Sequence, residues 1–344
     1  MSIRSALVAR FAIGLALFTF IGNLPAAAQP RLITEDFQSD PVQRGWHLFG
    51  DSSLFVWDAE QENLRATFDS SRSNTFLWIP LGLPLSRLDD FGASLDLTLE
   101  EIAPAATEGK PGALQLAFGF QNSADAQQPG FVRGTGTDSP NLVEFNFFPD
   151  TGFGPTVWPT AVSTNSSFNY NGPEDFSNFD LPVGVTMRIA LEYSASNETV
   201  TVSVTTNGVL AGPITSAKLS TNSSAFSQPF TDFHVDAFAL PSYSDLGQVG
   251  DFAGSLFAKG VVDNIELRLP PLPVQDLRVS LKSEAAEISF STLTTYSYTL
   301  EFTTDFDSWS EAGSPTAGTG ERLTLSDPRG AAGHRFYRVA ARRN

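Results

Sequence analysis

Cysteine is absent from all 344 residues. That absence excludes a disulfide framework, a thiolate zinc site, a cysteine nucleophile and a lipid-modified cysteine anchor. Basic charge is scarce as well: 21 Lys and Arg stand against 38 Asp and Glu, a formal net charge of −17. A field of that sign repels nucleic acid and anionic membrane surfaces, and it suits neutral or cationic partners. Helical periodicity is hard to find, because 27 Gly and 22 Pro, with many Ser, Thr and Asn, break the chain too often for long helices. No P-loop, dinucleotide fingerprint, GxSxG elbow or HExxH pair occurs.

What is present begins with one short apolar run, Phe11 to Gly22, preceded by Arg4 and Arg10 and followed by Ala26-Ala27-Ala28. These are the three parts of a cleavable export signal, with cleavage expected before Gln29. The run ends at Asn23 and Pro25, short of the roughly 20 apolar residues that span a bilayer. No later segment is long and apolar enough to do so. The expectation is a protein secreted to the extracellular space, the periplasm or the cell surface. Cleavage leaves 316 residues and moves the charge to −19, since two arginines and no acids are lost.

Alternation replaces helical period in the mature chain. Ala93, Leu95, Leu97 and Leu99 share one face, and Ser94, Asp96, Thr98 and Glu100 the other. Val143, Phe145 and Phe147 oppose Glu144 and Asn146, and Phe233, Val235, Ala237 and Ala239 oppose Asp232, His234 and Asp236. Strand side chains alternate faces, so each run reads as half buried and half wet. Val185 to Tyr193 and Thr199 to Thr205 flank a polar turn and predict a hairpin, with Asn207-Gly208 as a further tight turn. The fold expected is all-β: a two-sheet antiparallel jelly-roll sandwich, its interior filled from 29 phenylalanines. Residues 121–140 and 149–183 form long connections, to be ordered by packing or by short strands within them.

Pro270-Pro271-Leu272-Pro273 lies between two strand-like runs and reads as an extended spacer. The chain then divides into a signal at 1–28, a large domain at 29–269, a linker at 270–275 and a small β domain at 276–344.

The large domain resembles the concanavalin A-like lectin/glucanase superfamily, laminin G-like members included. The resemblance rests on Glu35-Asp36-Phe37-Gln38-Ser39-Asp40-Pro41 with Gly45-Trp46, on Leu191-Glu192-Tyr193 through Thr199-Val200-Thr201-Val202 to Asn207-Gly208, and on Val262-Asp263-Asn264-Ile265-Glu266-Leu267. These are loose strand patterns over about 240 residues, similar to domains of secreted bacterial proteins. They imply a jelly roll with one curved sheet that holds ligands on its concave face or rim. The C-terminal residues, with Tyr298-Thr299-Leu300-Glu301-Phe302-Thr303-Thr304-Asp305, Trp309 and Phe336-Tyr337-Arg338-Val339, resemble a small β module at the ends of secreted bacterial proteins. A fibronectin III-like sandwich is its expected shape, with spacing or cell-surface contact as its role.

The resemblance also implies where to look for a site. Related glucanases carry a nucleophilic Glu, an Asp and an acid/base Glu at alternating positions of one strand. Here the three positions hold Glu144, Asn146 and Phe148, so the paired carboxylates of retaining hydrolysis are missing. Glu144 and Asn146 remain candidates for hydrogen bonds to a sugar. His234 and Asp236, with Asp96 and Gln115 from other strands, would line a polar groove if their faces joined in one sheet. Trp158 and Tyr170, near Asn165, Asn169 and Asn171, fit either a sugar-stacking rim or aromatics pinning a loop to the sandwich. Trp46, Trp57 and Trp78 fit the core. Side by side, as the resemblance implies, Glu35, Asp36 and Asp263 would offer oxygens to a structural calcium ion. The expected activity is carbohydrate binding or adhesion, with polysaccharide cleavage by a hydrolase or lyase, and a ligand-free structural surface protein, as the alternatives. No other cofactor is expected.

Overall fold

In the computed structural model the described residues are 30–134, 138–169, 176–219, 229–248, 250, 253–282, 285–328 and 334–344. They form two compact units, Gln29–Leu272 and Pro273–Asn344, divided within the proline cluster. Tyr170, Asn171 and residues 1–29, where an export signal is expected, lie outside the described residues. Among those described, no helix is long and apolar enough to cross a membrane.

The first unit is a sandwich of two sheets. One has seven strands in the order Ser177–Asn178, Thr156–Val162, Leu142–Phe148, Leu116–Gln121, Val235–Ser242, Thr75–Leu85, His47–Phe49. The other has ten, with the path Val209–Leu210, Thr199–Thr206, Thr186–Ser194, Phe91–Pro104, Gly254–Leu269, Asn63–Asp69, Phe55–Asp58. Arg31–Glu35 pairs antiparallel with the end of Gly254–Leu269, so the chain's first described strand closes beside its last long one.

The alternation read from the sequence builds the interior. Ala93, Leu95, Leu97 and Leu99 are buried, as are Val143, Phe145 and Phe147. Phe91 of the ten-stranded sheet meets Phe120 of the seven-stranded sheet edge-on at 4.8 Å, and Trp46 meets Phe238 at 6.3 Å. Each such side chain contributes about 1.5–3 kcal/mol on removal from water. Trp57 is half-buried, its indole N–H donating to the Phe37 carbonyl at 2.7 Å. The hairpin Thr186–Ser194 and Thr199–Thr206 pairs Tyr193 with Val200, as expected. Asn207 and Gly208 take φ of 48° and 75°, the positive pair a tight hairpin turn demands.

The long connections contain structure of their own: a helical turn at Ser123–Ala126 in the first, and Thr156–Val162 with Ser177–Asn178 in the second. The second unit has two small sheets. Gln275–Leu281, Ala285–Ser291 and Arg322–Pro328 form one, and Tyr296–Thr303 with Ser310–Glu311, Thr316–Ala317 and Phe336–Arg343 the other. Ala286, Ile288, Phe290, Tyr298 and Leu300 are buried between them.

Candidate functional site

Antiparallel partners project to the same face of a sheet. In the seven-stranded sheet the register sets Glu144 beside Thr160 and Gly119, and Asn146 beside Trp158 and Ala117. Ala239 continues the row to Trp78, which pairs with His47 and stacks on it at 4.6 Å. Phe118, Phe145 and Phe238 alternate with these and fill the core, so Glu144 and Asn146 belong to the outer face. Gln115, just ahead of this strand, is buried at 3% exposure.

The outer face is not wet at its centre. Glu144 is 2% exposed and Asn146 is buried, contrary to the half-wet strand expected from alternation. The reason is the connection between Leu116–Gln121 and Leu142–Phe148, which folds back over the sheet. Phe131 from that connection stacks on Tyr243 at 6.1 Å and meets Phe76 edge-on at 5.7 Å. Arg133 follows, itself 4% exposed. Its Nε and Nη2 donate to Glu144 Oε2 at 2.9 and 2.7 Å, its Nη1 to Asp138 Oδ1 at 2.5 Å, and Nη2 also reaches Asn146 Oδ1 at 3.2 Å. The Tyr243 hydroxyl donates to the other Glu144 oxygen. Gly134 takes a φ of 153°, and a β-carbon there would strike the Gln248 side chain. That amide donates to the Arg133 carbonyl at 2.9 Å and holds the turn down.

One guanidinium therefore faces two buried carboxylates. Burial raises the pKa of Glu144, against the opposing pull of Arg133 and the Tyr243 hydrogen bond. Burial also works against the Arg133 charge, but Glu144 and Asp138 outweigh it and raise its pKa. The phenol of Tyr243 is pushed up by burial and then by Glu144. This cluster is a closed ion-paired knot. Chemically it fastens the covering segment, and it offers no carboxylate to an outside ligand.

An open concavity lies at the end of the same face. It is a cleft of about 530 Å³. One wall is Pro104, Ala105, Pro111, Gly112 and Ala113, and the other carries Phe148, Trp158 and the turn Asp150-Thr151-Gly152. Its volume lies within the roughly 300–1,000 Å³ usual for small-ligand sites. The half-buried Trp158 packs nearly parallel to Phe168 at 6.0 Å and tilted on Phe176 at 4.7 Å. The Asp150 carboxylate, exposed, accepts the Gly152 amide at 2.7 Å and shapes the turn. Phe153, at the tip of that turn, is 89% exposed.

The opposite wall is tied down from behind. Asp245, buried, takes Lys110 Nζ at 2.6 Å, the Ser70 hydroxyl at 2.8 Å and the Thr107 hydroxyl at 2.8 Å. Every oxygen of this carboxylate is thus partnered by the segment behind the cleft.

Of the expected ligand-binding residues, the outer face unites Glu144, Asn146 and Trp158. Asp96 does not join them. It lies on the ten-stranded sheet, bonded to Arg188 at 3.3 Å and to the Asn264 amide at 2.9 Å. Alternation assigns a residue to a face but not to a sheet. His234 is exposed, its backbone N–H donating to Asn141 and its carbonyl accepting from Asn122. Asp236 accepts from the Ser123 amide and hydroxyl at the start of the helical turn. A register shift between Val235 and Ala237 takes this stretch out of the regular alternation. The two therefore serve the end of the sheet and the short helix, with no contact to Glu144.

Glu35 and Asp36 do come near the last long strand, but they do not fit a calcium ion. Arg44 lies against both, at 3.1 and 2.7 Å, and the Phe37 amide takes Glu35 Oε1 at 2.8 Å. Asp263 accepts the backbone amide of Asn264 at 2.7 Å. Among the described residues no group of three His, Asp or Glu is arranged to hold a metal.

Sequence reading missed Arg133, Asp138 and Tyr243 in the knot, and Asp150 and Thr151 in the cleft. A lone arginine in a Gly-containing connection carries no period. The one signal at Asp150 was its place two residues after an aromatic strand end.

No family model and no curated protein matches the chain. Among solved structures it is similar to the lectin UEA-II complexed with galactose, at 14% identity over 70% of this chain and 98% of that one, TM-score 0.43. It is similar also to arcelin-5, a lectin-like defense protein from Phaseolus vulgaris, at 13% identity, 71% and 100% coverage and TM-score 0.41. A third is lectin I from Ulex europaeus in complex with the methyl glycoside of α-L-fucose, at 12% identity, 71% and 99% coverage and TM-score 0.43.

Proposed function

We propose that this is a secreted carbohydrate-binding protein that takes a neutral glycan in the cleft beside Trp158. The observation that carries the reading is the cleft's make-up: a half-buried indole and Phe148 on one wall, with the Asp150 carboxylate and Thr151 hydroxyl next to them. Pyranose rings present apolar C–H faces to flat aromatics and hydroxyls to nearby polar groups. The net charge of −17 favours an uncharged ligand over an anionic one. An export signal at residues 1–28, as read from the sequence, would deliver the protein to where such polymers are met.

Cleavage has less support. Asp150 is the one carboxylate among the lining residues, so a second group for the two-carboxylate route is not at hand. Glu144, the other candidate, is locked to Arg133.

The test is a glycan array followed by affinity electrophoresis of the full chain in gels containing neutral polysaccharides. Retardation is expected with at least one neutral polysaccharide. Trp158→Ala should weaken that binding by about 2 kcal/mol or more, over tenfold. Absence of binding across the panel, or equal binding by the variant, would sink the reading.

A further inference from the structure

The second unit leaves one edge of a sheet bare. Gln275–Leu281 ends the order Gln275–Leu281, Ala285–Ser291, Arg322–Pro328, so one of its sides has no neighbour among the described strands. Its apolar residues alternate and stand in water: Leu277, Val279 and Leu281 are 52%, 56% and 65% exposed. Val279 pairs with Ile288 and Leu281 with Ala286, both buried, so this row continues the sheet's core face beyond its cover. The hydrogen-bond ladder is open on the same strand. The Lys282 amide donates to the Ala285 carbonyl at 2.8 Å and closes the hairpin. Antiparallel bonds fall on every second residue, so Ser280 and Arg278 bond inward, and Val279 and Leu281 turn N–H and C=O to the open side. Elsewhere the edges are short: Ser177–Asn178, His47–Phe49, Val209–Leu210 and Phe55–Asp58 end the paths of the two larger sheets.

An edge with unpaired backbone groups and an apolar row accepts another strand. We propose that the occupant is the same strand of a second copy of this chain, paired antiparallel about a two-fold axis through Val279. In that register Val279 meets its own counterpart, Leu277 meets Leu281, Arg278 meets Ser280 and Asp276 meets Lys282. The last pair carries opposite charges and recurs at both ends of the contact, and no like charges stand directly opposed. Asp276 Oδ2 lies 3.5 Å from the Ser291 hydroxyl and Lys282 Nζ 2.6 Å from Glu287 Oε1, which puts both on the polar face of the sheet. A two-fold contact demands this kind of self-complementarity. The wider charge distribution favours the same place. Residues 273–344 hold 8 Lys and Arg against 9 Asp and Glu, whereas residues 1–272 hold 13 against 29. Two copies of an acidic chain repel least where they meet through this nearly neutral unit.

Sedimentation equilibrium of the full chain tests this directly. The mass should climb from one chain toward two as concentration rises, because a contact of one strand pair is smaller than the interfaces of tight complexes. Val279→Lys sets two ammonium groups face to face at the axis and should raise the dissociation constant about tenfold or more. The position is exposed, so the melting temperature of the dilute variant should stay within about 2 °C of the wild type. Lys282→Asp opposes two carboxylates and should weaken the dimer about threefold, and adding Asp276→Lys should restore it. Only the antiparallel register explains that recovery. In the wild-type chain, hydrogen exchange at the Val279 and Leu281 amides should slow as concentration rises. A chain that stays monomeric at every concentration overturns the proposal; protection of those amides in the monomer would then assign the edge to another part of the same chain. A dimer indifferent to Val279→Lys and to both charge changes overturns it as well, and moves the contact to a different surface.

Discussion

At the centre of the seven-stranded sheet's outer face Glu144 is shut from water, while six residues further along the chain Asp150 stands exposed on a cleft wall. Both are carboxylates at the start or end of the same aromatic stretch. The difference is what the neighbouring connection does. The segment before Leu142–Phe148 folds over the sheet and delivers Arg133; the turn after it leaves the face and opens a hollow. A buried carboxylate is tolerated only with its counter-charge and hydrogen bonds in place. An exposed one beside half-covered aromatics has no such debt and is available to a ligand. A curved sheet face therefore does not identify a binding site until its cover is known.

The sharpest way to break the contrast is Arg133→Met. It strands Glu144 and Asp138 without their cation and should cost about 3–5 kcal/mol, read as a lower urea midpoint. Adding Glu144→Gln to that variant should recover part of the loss, since one fewer carboxylate is then left unpaired.

Glu144→Gln alone tests the knot by pH. The folded pKa of Glu144 is raised, so its proton is held more tightly folded than unfolded. Its contribution to stability is then full below the unfolded value of about 4.3 and declines as pH rises through the folded one. The variant should lack that decline, making its urea midpoint flatter with pH than the wild type's. An identical pH profile would mean that Glu144 stays ionised in both states.

The smallest effect belongs to the open side. Phe153→Ala removes an exposed ring and should change stability by less than about 0.5 kcal/mol. If the turn extends the stacking surface, polysaccharide binding should weaken by about 0.5–1.5 kcal/mol in the same gels. Unchanged binding would confine the ligand to the Trp158 wall.

The sequence carried the sandwich well and the site only in part. Leu95, Leu97 and Leu99, or Phe145 and Phe147, announce a core face because period two follows from backbone geometry alone. The Tyr193–Val200 hairpin is legible for the same local reason. Whether the opposite face is wet depends on a different segment, and nothing in Leu142–Phe148 says that Arg133 will cover it. Asp96 failed in another way: its polar face was real, but the sheet it joins is set by pairing with Thr186–Ser194 and Gly254–Leu269, far away in the chain. Trp158 was legible as an aromatic in a polar connection, and its packing on Phe168 and Phe176 matches the use foreseen for it in pinning that connection.

The fastening of Asp245 to Lys110, Ser70 and Thr107 bears on how a ligand would arrive. Thr107 and Lys110 belong to the segment that forms the cleft's far wall, and Asp245 lies two residues from Tyr243 of the knot. That wall is thus pinned close to the buried ion-paired knot. Little ordering entropy of that wall would remain to be lost on association. Capture would run as a single encounter step whose rate rises in proportion to ligand concentration, without the plateau of a slow closure.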